Sequence, residues 1–426
     1  MKTRRLLGLA AAVLAMLAAG AGGADAQIAI GGAPKETPPP PTPGDEGTGA
    51  ALEAISQDQA VTAGDDAAIR AYWTAARLRA AASRDLLVAP ADPATRGAAR
   101  PFEGEGKISP VHLWSSTLPG ERATKRSLSP DDAARLLGTS AGGPETQAGN
   151  GTPPSFPAVS NAPFVYTRYR LFADNVSVRT TSPWRTVGKL FFTIPNQGNF
   201  QCSATSIASE NLSTVWTAGH CVFTPGVGFH TNFLFIPAYH AHLFGPVEMP
   251  FGSWTALTAV TLTLWTTGLF EYDHGALAMN RGGLGVPDYV NNRVGGMGFI
   301  THFPRFQNWH LLGFPAGFQS PPSPGPVFDG GHVEVCNATF AVNDQPTGTP
   351  GIDPPTIGVG CDQTGGTSGG PWVMDLSGSP GINNLLNGNN SYRYVGCPNC
   401  NLELYGPYFS DGAYILKVFT EGIFVP

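Results

Sequence analysis

The sequence predicts an all-β protein, a sandwich or barrel, led by a partly helical N-terminal segment rich in proline and glycine. Three observations carry this expectation. Short runs of Val, Phe, Ile, Thr and Tyr recur after Asn161, and Gly, Pro or Asn punctuates them. No long amphipathic helix interrupts them, which argues against βαβ units. The composition is 42% hydrophobic but only 13% charged, with 54 Gly and 39 Pro, so a sizeable core is expected among many loops and few long solvated helices.

In chain order, the first residues read as a bacterial export signal. Lys2, Arg4 and Arg5 precede an apolar run from Leu6 to Ala19, too short for a comfortable membrane span. Ala24-Asp25-Ala26 is a small-x-small cleavage site, so residues 1–26 are read as a signal peptide and the protein as secreted, extracellular or periplasmic. Residues 27–155 are read as a partly disordered pro-segment with short helices, the alternative being a permanent stalk. Thr37 to Pro43 is a stiff proline linker. Asp65 and Asp66 open a helical pattern that continues through Ile69, Trp73, Ala76 and Ala80. Ser129 caps a second helix that has Pro130 at its first position and Gly138 as its stop. Gly142 to Pro157 reads as a domain boundary.

Beyond it, residues 156–426 form the main domain. Predicted strands are Val187 to Ile194, Cys202 to Ile207, Thr214 to Thr217, Phe233 to Pro237, Gly275 to Met279, Val294 to Ile300, Val333 to Ala338, Pro371 to Met374 and Tyr392 to Gly396. Leu416 to Phe424 is a candidate for a short C-terminal helix, opposed by its β-branched content. The net charge of -6 leaves no basic footprint for nucleic acid. Export implies paired cysteines, and the count of six (Cys202, Cys221, Cys336, Cys361, Cys397, Cys400) fits three bridges. Cys397-Pro-Asn-Cys400 alone does not make a zinc site.

Three stretches carry chemistry, in the order histidine, acid, serine. Ser368 lies within Gly365-Gly366-Thr367-Ser368-Gly369-Gly370, where glycines permit a sharp turn and let N–H groups converge on an oxyanion. His220 lies in Thr217-Ala218-Gly219-His220-Cys221. Asp273 precedes the small apolar run from Gly275. A serine hydroxyl needs an imidazole to take its proton, and the imidazole needs a carboxylate to fix its tautomer. Gly366-x-Ser368-x-Gly370 also matches a nucleophile elbow, but that fold places its histidine after the serine, and none of the nine histidines follows Ser368. A subtilisin order would use Asp174, which the β-rich texture opposes. His240 and His242 share one strand face, but no clear third metal ligand joins them. His274 is expected at the surface or in a loop.

The histidine and serine boxes resemble those of trypsin/chymotrypsin-like serine peptidases. The Gly365-Gly366 doublet, Asp273-x-Gly275-Ala276 and Tyr405-Gly406-Pro407-Tyr408 resemble the secreted microbial, V8-like (glutamyl endopeptidase-like) branch. The likeness spans about Trp184 to Phe419. It implies two six-stranded antiparallel β-barrels, about 160–288 and 289–426, with the active site between them. It implies Ser368 as nucleophile, His220 as base and then acid, Asp273 as its orienting group, and the N–H groups of Gly366 and Ser368 as the oxyanion hole. It also implies the pairs Cys202–Cys221, Cys336–Cys361 and, by remainder, Cys397–Cys400. Thr367 stands where trypsin-type members carry an acid, so activation by an ion pair at that position is not expected. Asp362 falls where such members recognise Arg or Lys, and it reads equally as a loop acid; Gln363 adjoins it. Asn389, Asn390 and Ser391 are expected to form the edge that takes an extended substrate. The absence of a nearby histidine disfavours glutamate specificity. The expected function is serine endopeptidase, on protein or peptide substrates, as a monomer with no cofactor, no metal and no membrane contact after signal removal. The alternative is a non-catalytic secreted binding protein on the same scaffold.

Overall fold

The computed structural model describes residues 52–89, 110–137, 159–161, 164–171, 176–241, 246–317, 328–346, 355–379, 381–397 and 400–426. The expected signal peptide, the proline linker, the boundary at 142–157, Asp174 and His242 lie outside the described residues.

The first half of the main domain is a closed antiparallel barrel. Val187–Ile194 pairs with Gly198–Ser206, which pairs with Thr214–Thr217, then Gly275–Met279, Trp254–Leu262 and Thr231–Pro237, which returns to Val187–Ile194. Closure leaves no open edge within the ring. Its interior is filled by Leu190, Phe192, Val215, Phe233, Phe235, Trp254, Leu277 and Met279, all fully buried. The second half contributes eight strands to a larger sheet that has 13 among the described residues. Asn308–Gly313 lies between Glu334–Asp344 and Pro371–Met374, and Leu385–Asn389 pairs with the latter. Trp309, Leu311, Ile357, Val359 and Trp372 fill its core. Trp216, Phe299, Phe409 and Leu416 form a further buried cluster, and Phe409 leads into the C-terminal helix Asp411–Glu421.

The described part of the N-terminal region holds the short helices expected of it and also adds strands to both sheets. The helical pattern at its start is two helices, Ala63–Tyr72 and Ala75–Ala80, because Trp73 leaves helical backbone and Thr74 caps anew. Thr62 and Asp65 form a reciprocal capping box on the first. Trp73 is buried, donates its ring N–H to the Asn232 carbonyl (2.6 Å) and packs on Phe191. Ala54–Asp58 adds antiparallel to Trp254–Leu262, and Val111–Trp114 adds to Gly298–Thr301 with Val111, Leu113 and Trp114 wholly buried. Ser129 caps Pro130–Leu136 as its sequence signature requires.

Three disulfides join Cys202 to Cys221, Cys336 to Cys361, and Cys397 to Cys400. The first closes a loop with a sequence separation of 19 and ties the histidine stretch to its neighbouring strand. Replacing both Cys202 and Cys221 by Ala should lower unfolding free energy by about 3 kcal/mol, mostly by freeing the unfolded chain. Urea unfolding of the pair variant, in a Ser368→Ala background that removes self-digestion, measures it.

Candidate active site

Asp273 ends a short 3-10 turn, Phe270–Tyr272, just before Gly275–Met279. Its carboxylate is fully buried and has three donors. The His220 backbone N–H reaches Oδ1 at 2.7 Å, His220 Nδ1 lies 2.8 Å from Oδ2, and Ser391 Oγ also donates to Oδ2. Burial alone would raise this carboxyl's pKa, but the His220 charge and the hydrogen bonds from His220 and Ser391 outweigh it and hold it below the ordinary carboxylate value. The group is therefore an anion that fixes Nδ1 as the protonated nitrogen and leaves Nε2 to accept.

Close packing sets this geometry. Gly219, before the histidine, has no room for a side chain: a Cβ there would lie 2.9 Å from both Asp273 Oδ1 and the Trp265 ring. The serine turn docks on the histidine loop through the strand Gly198–Ser206. The Ser203 N–H donates to the Ser368 carbonyl at 2.8 Å, and Ser203 follows Cys202, which is bridged to Cys221 beside His220. Gly366 has φ +93°, a backbone that favours glycine.

Ser368 and His220, the expected nucleophile and base, are not bonded to each other here. Ser368 Oγ donates to the Arg84 carbonyl at 3.2 Å, and the Gly366 N–H donates to the same oxygen at 2.8 Å. His220 Nε2 is buried and has no hydrogen-bond partner. A carbonyl oxygen of the chain itself thus sits against two of the groups expected to handle a substrate carbonyl.

The expected substrate-contacting residues divide. Ser391 serves Asp273. The Asn389 and Asn390 side chains are not at the cleft edge. Asn389 bonds the Trp216 ring N–H and the Asp273 carbonyl, while Asn390 bonds the Trp372 ring N–H, Thr367 and the Leu312 carbonyl. Both are wholly buried because each satisfies groups that would otherwise be orphaned in the core. The edge that accepts an extended strand comes next, at Tyr392–Tyr394. Gln363 is also internal, donating to the Leu311 and Glu334 carbonyls and accepting from Thr367. Asp362 is buried and ion-paired with Arg168 at 2.9 Å, and Arg168 reaches Glu334 at 3.2 Å. This carboxylate is thus already neutralised from within the chain.

His274 is buried rather than exposed, its ring near Trp216 and Phe409, and burial pulls its pKa down to about 4. Cys202, His220 and Cys221 offer atoms close enough for a metal, but both sulfurs are spent in a disulfide. The sequence did not point to Arg84, Arg168 or Arg393. Each acts through a partner far along the chain, so no local spacing marked them.

No protein-family model matches the chain, and no curated protein does. Solved structures do. They include structures named as serine proteases. A thermostable serine protease from an extremophilic microorganism is 33% identical, matched over 56% of this chain and 98% of its own, with a TM-score of 0.45. A protease of Arthrobacter nicotinovorans is 30% identical over 56% of this chain and 96% of its own, with a TM-score of 0.46. A collagenase aligns at 15% identity over 54% of this chain and 90% of its own, with a TM-score of 0.36.

Proposed function

We propose that the chain is a secreted serine endopeptidase of the V8-like branch, acting through Ser368, His220 and Asp273. The carrying observation is the buried Asp273–His220 pair, with Nδ1 held at 2.8 Å and Nε2 left as the acceptor. In this reading His220 takes the Ser368 proton as Oγ attacks the scissile carbonyl. The N–H groups of Gly366 and Ser368 hold the oxyanion, the imidazolium passes its proton to the leaving amine, and water then hydrolyses the acyl-enzyme. No metal or cofactor is needed for these steps. The pairing of Asp362 with Arg168 supports its reading as a loop acid, so a strong preference for Arg or Lys before the scissile bond is not expected. Export is supported by the three disulfides. Among the described residues, no helix is long and apolar enough to cross a membrane.

One observation favours the non-catalytic alternative: Ser368 Oγ is hydrogen-bonded to the Arg84 carbonyl and not to His220. The two readings separate on one experiment. The processed protein should be labelled at Ser368 by a sulfonyl fluoride and should hydrolyse casein, with both lost in Ser368→Ala. A folded, processed protein that does neither would leave the binding-protein reading.

A further inference from the structure

Residues Ala82–Val88 lie along the whole candidate cleft. Ala82 and Ser83 pair in parallel with Phe200 and Gln201 of the first barrel, and the Arg84 N–H donates to the Gln201 carbonyl at 2.9 Å. The Arg84 carbonyl then accepts from Gly366 N–H and Ser368 Oγ. Leu86–Val88 pair in parallel with Tyr392–Tyr394 of the second sheet, and the Val88 carbonyl accepts from the Val395 N–H at 3.0 Å. Between them Asp85 binds Arg393, with Nη2 to Oδ2 at 2.6 Å and both groups largely buried. Ser83 Oγ donates to the Ala316 carbonyl at 2.9 Å. The segment thus uses the backbone edges, an oxyanion donor and the nucleophile at once.

We propose that Ala82–Val88 is a built-in inhibitor strand that holds the cleft closed and the nucleophile idle. This rests on the peptidase reading. The chemistry of the contact explains why the strand blocks and is not cut. Ser368 donates its proton to the Arg84 oxygen, so that proton is not directed to its base. His220 Nε2 has no hydrogen-bond partner, so it is bonded neither to the serine hydroxyl nor to the Asp85 N–H that would have to leave. Polarity adds to this. A strand added antiparallel to Tyr392–Tyr394 would carry its acyl part there and its leaving nitrogen toward Gln201. The parallel strand reverses those two substituents of the carbonyl carbon.

The strand is also tethered on both sides. Upstream, Ala54–Asp58 adds to the first barrel, and the buried Ile69, Trp73 and Leu78 anchor the helices. Downstream, Val111–Trp114 is built into the second sheet. Tethering makes the occupant intramolecular, so its effective concentration is on the order of millimolar and an ordinary peptide competes poorly. Local release of Ala82–Val88, or a cut beside it, would open the cleft while these anchors stay in place.

The test compares the full-length protein with Asp85→Ala and with Asp85→Ala combined with Leu86→Ala. Losing the Arg393 ion pair and the Leu86 contact should raise the rate of Ser368 labelling by a sulfonyl fluoride about tenfold or more. Hydrogen exchange on full-length Ser368→Ala gives a readout independent of activity: the Arg84 and Gly366 amides should be strongly protected. Free exchange at both amides in the folded protein would overturn the proposal, as would equal labelling rates for all three forms. Protected amides with no labelling of Ser368 in any form would instead overturn the peptidase reading, and the claim of latency with it.

Discussion

Asp273→Asn should cut kcat about ten-thousandfold with little change in KM, a loss of about 5 kcal/mol of transition-state stabilisation. The substitution preserves shape. One amide oxygen can still accept from the His220 backbone N–H, as Oδ1 does now at 2.7 Å. The other atom becomes an NH2 group where Oδ2 now faces Nδ1. Two donors cannot face each other, so the imidazole must turn its Nδ1 lone pair to the amide and carry its proton on Nε2. That nitrogen can then no longer take the Ser368 proton, and the charge that would stabilise the imidazolium is gone. Substrate contacts are untouched, hence the steady KM. The comparison is a kcat ratio on one peptide substrate for wild type and variant prepared identically, so partial closure of the cleft cancels. A ratio within about tenfold would remove Asp273 from its orienting role.

The candidate triad was legible because the chemistry narrows the residue types and the chain order narrows the fold. Strands were legible where composition is local. Val187–Ile194, Thr214–Thr217, Gly275–Met279 and Pro371–Met374 fall where their β-branched and aromatic runs end at turn residues. Trp254–Leu262 was not foreseen, because threonine and alanine dilute its apolar signal although nearly all of it is buried. The N-terminal strands were missed for another reason. Leu86 pairs with Tyr392 and Ala54 with Leu262, and nothing in a short local run names so distant a partner. The same limit hid the Asp85–Arg393 pair. It also hid the partners of Asn389 and Asn390, whose side chains serve the buried indole N–H groups of Trp216 and Trp372.

Acidification should weaken the fold well before the carboxylates titrate. His230 and His274 are buried and neutral. His230 stacks on Phe192 and bonds the Cys221 carbonyl and Thr224 Oγ1, and burial, helped by the nearby Arg84 and His220 charges, pulls its pKa down to about 3. His274 is pulled down to about 4, again by burial, against the opposing pull of Asp273. In the unfolded chain both return to about 6.5. A lowered histidine pKa means that the unfolded state binds the extra proton. Stability is therefore fully present above pH about 6.5 and lost as pH falls toward the folded values. Between pH 7 and pH 5 each histidine should remove about 2 kcal/mol. Glu271 and Glu334 act the other way, since burial raises their pKa and the folded state takes up their protons first. Lys189, lowered to about 7 by burial, has largely completed its own change above this window. Single variants isolate the histidine part. In urea unfolding of Ser368→Ala protein, His230→Gln should flatten the pH 7 to 5 slope by about 2 kcal/mol, even if it lowers stability at both ends. A slope unchanged by that substitution would mean that His230 is protonated in the folded state, which its stacked, buried position opposes.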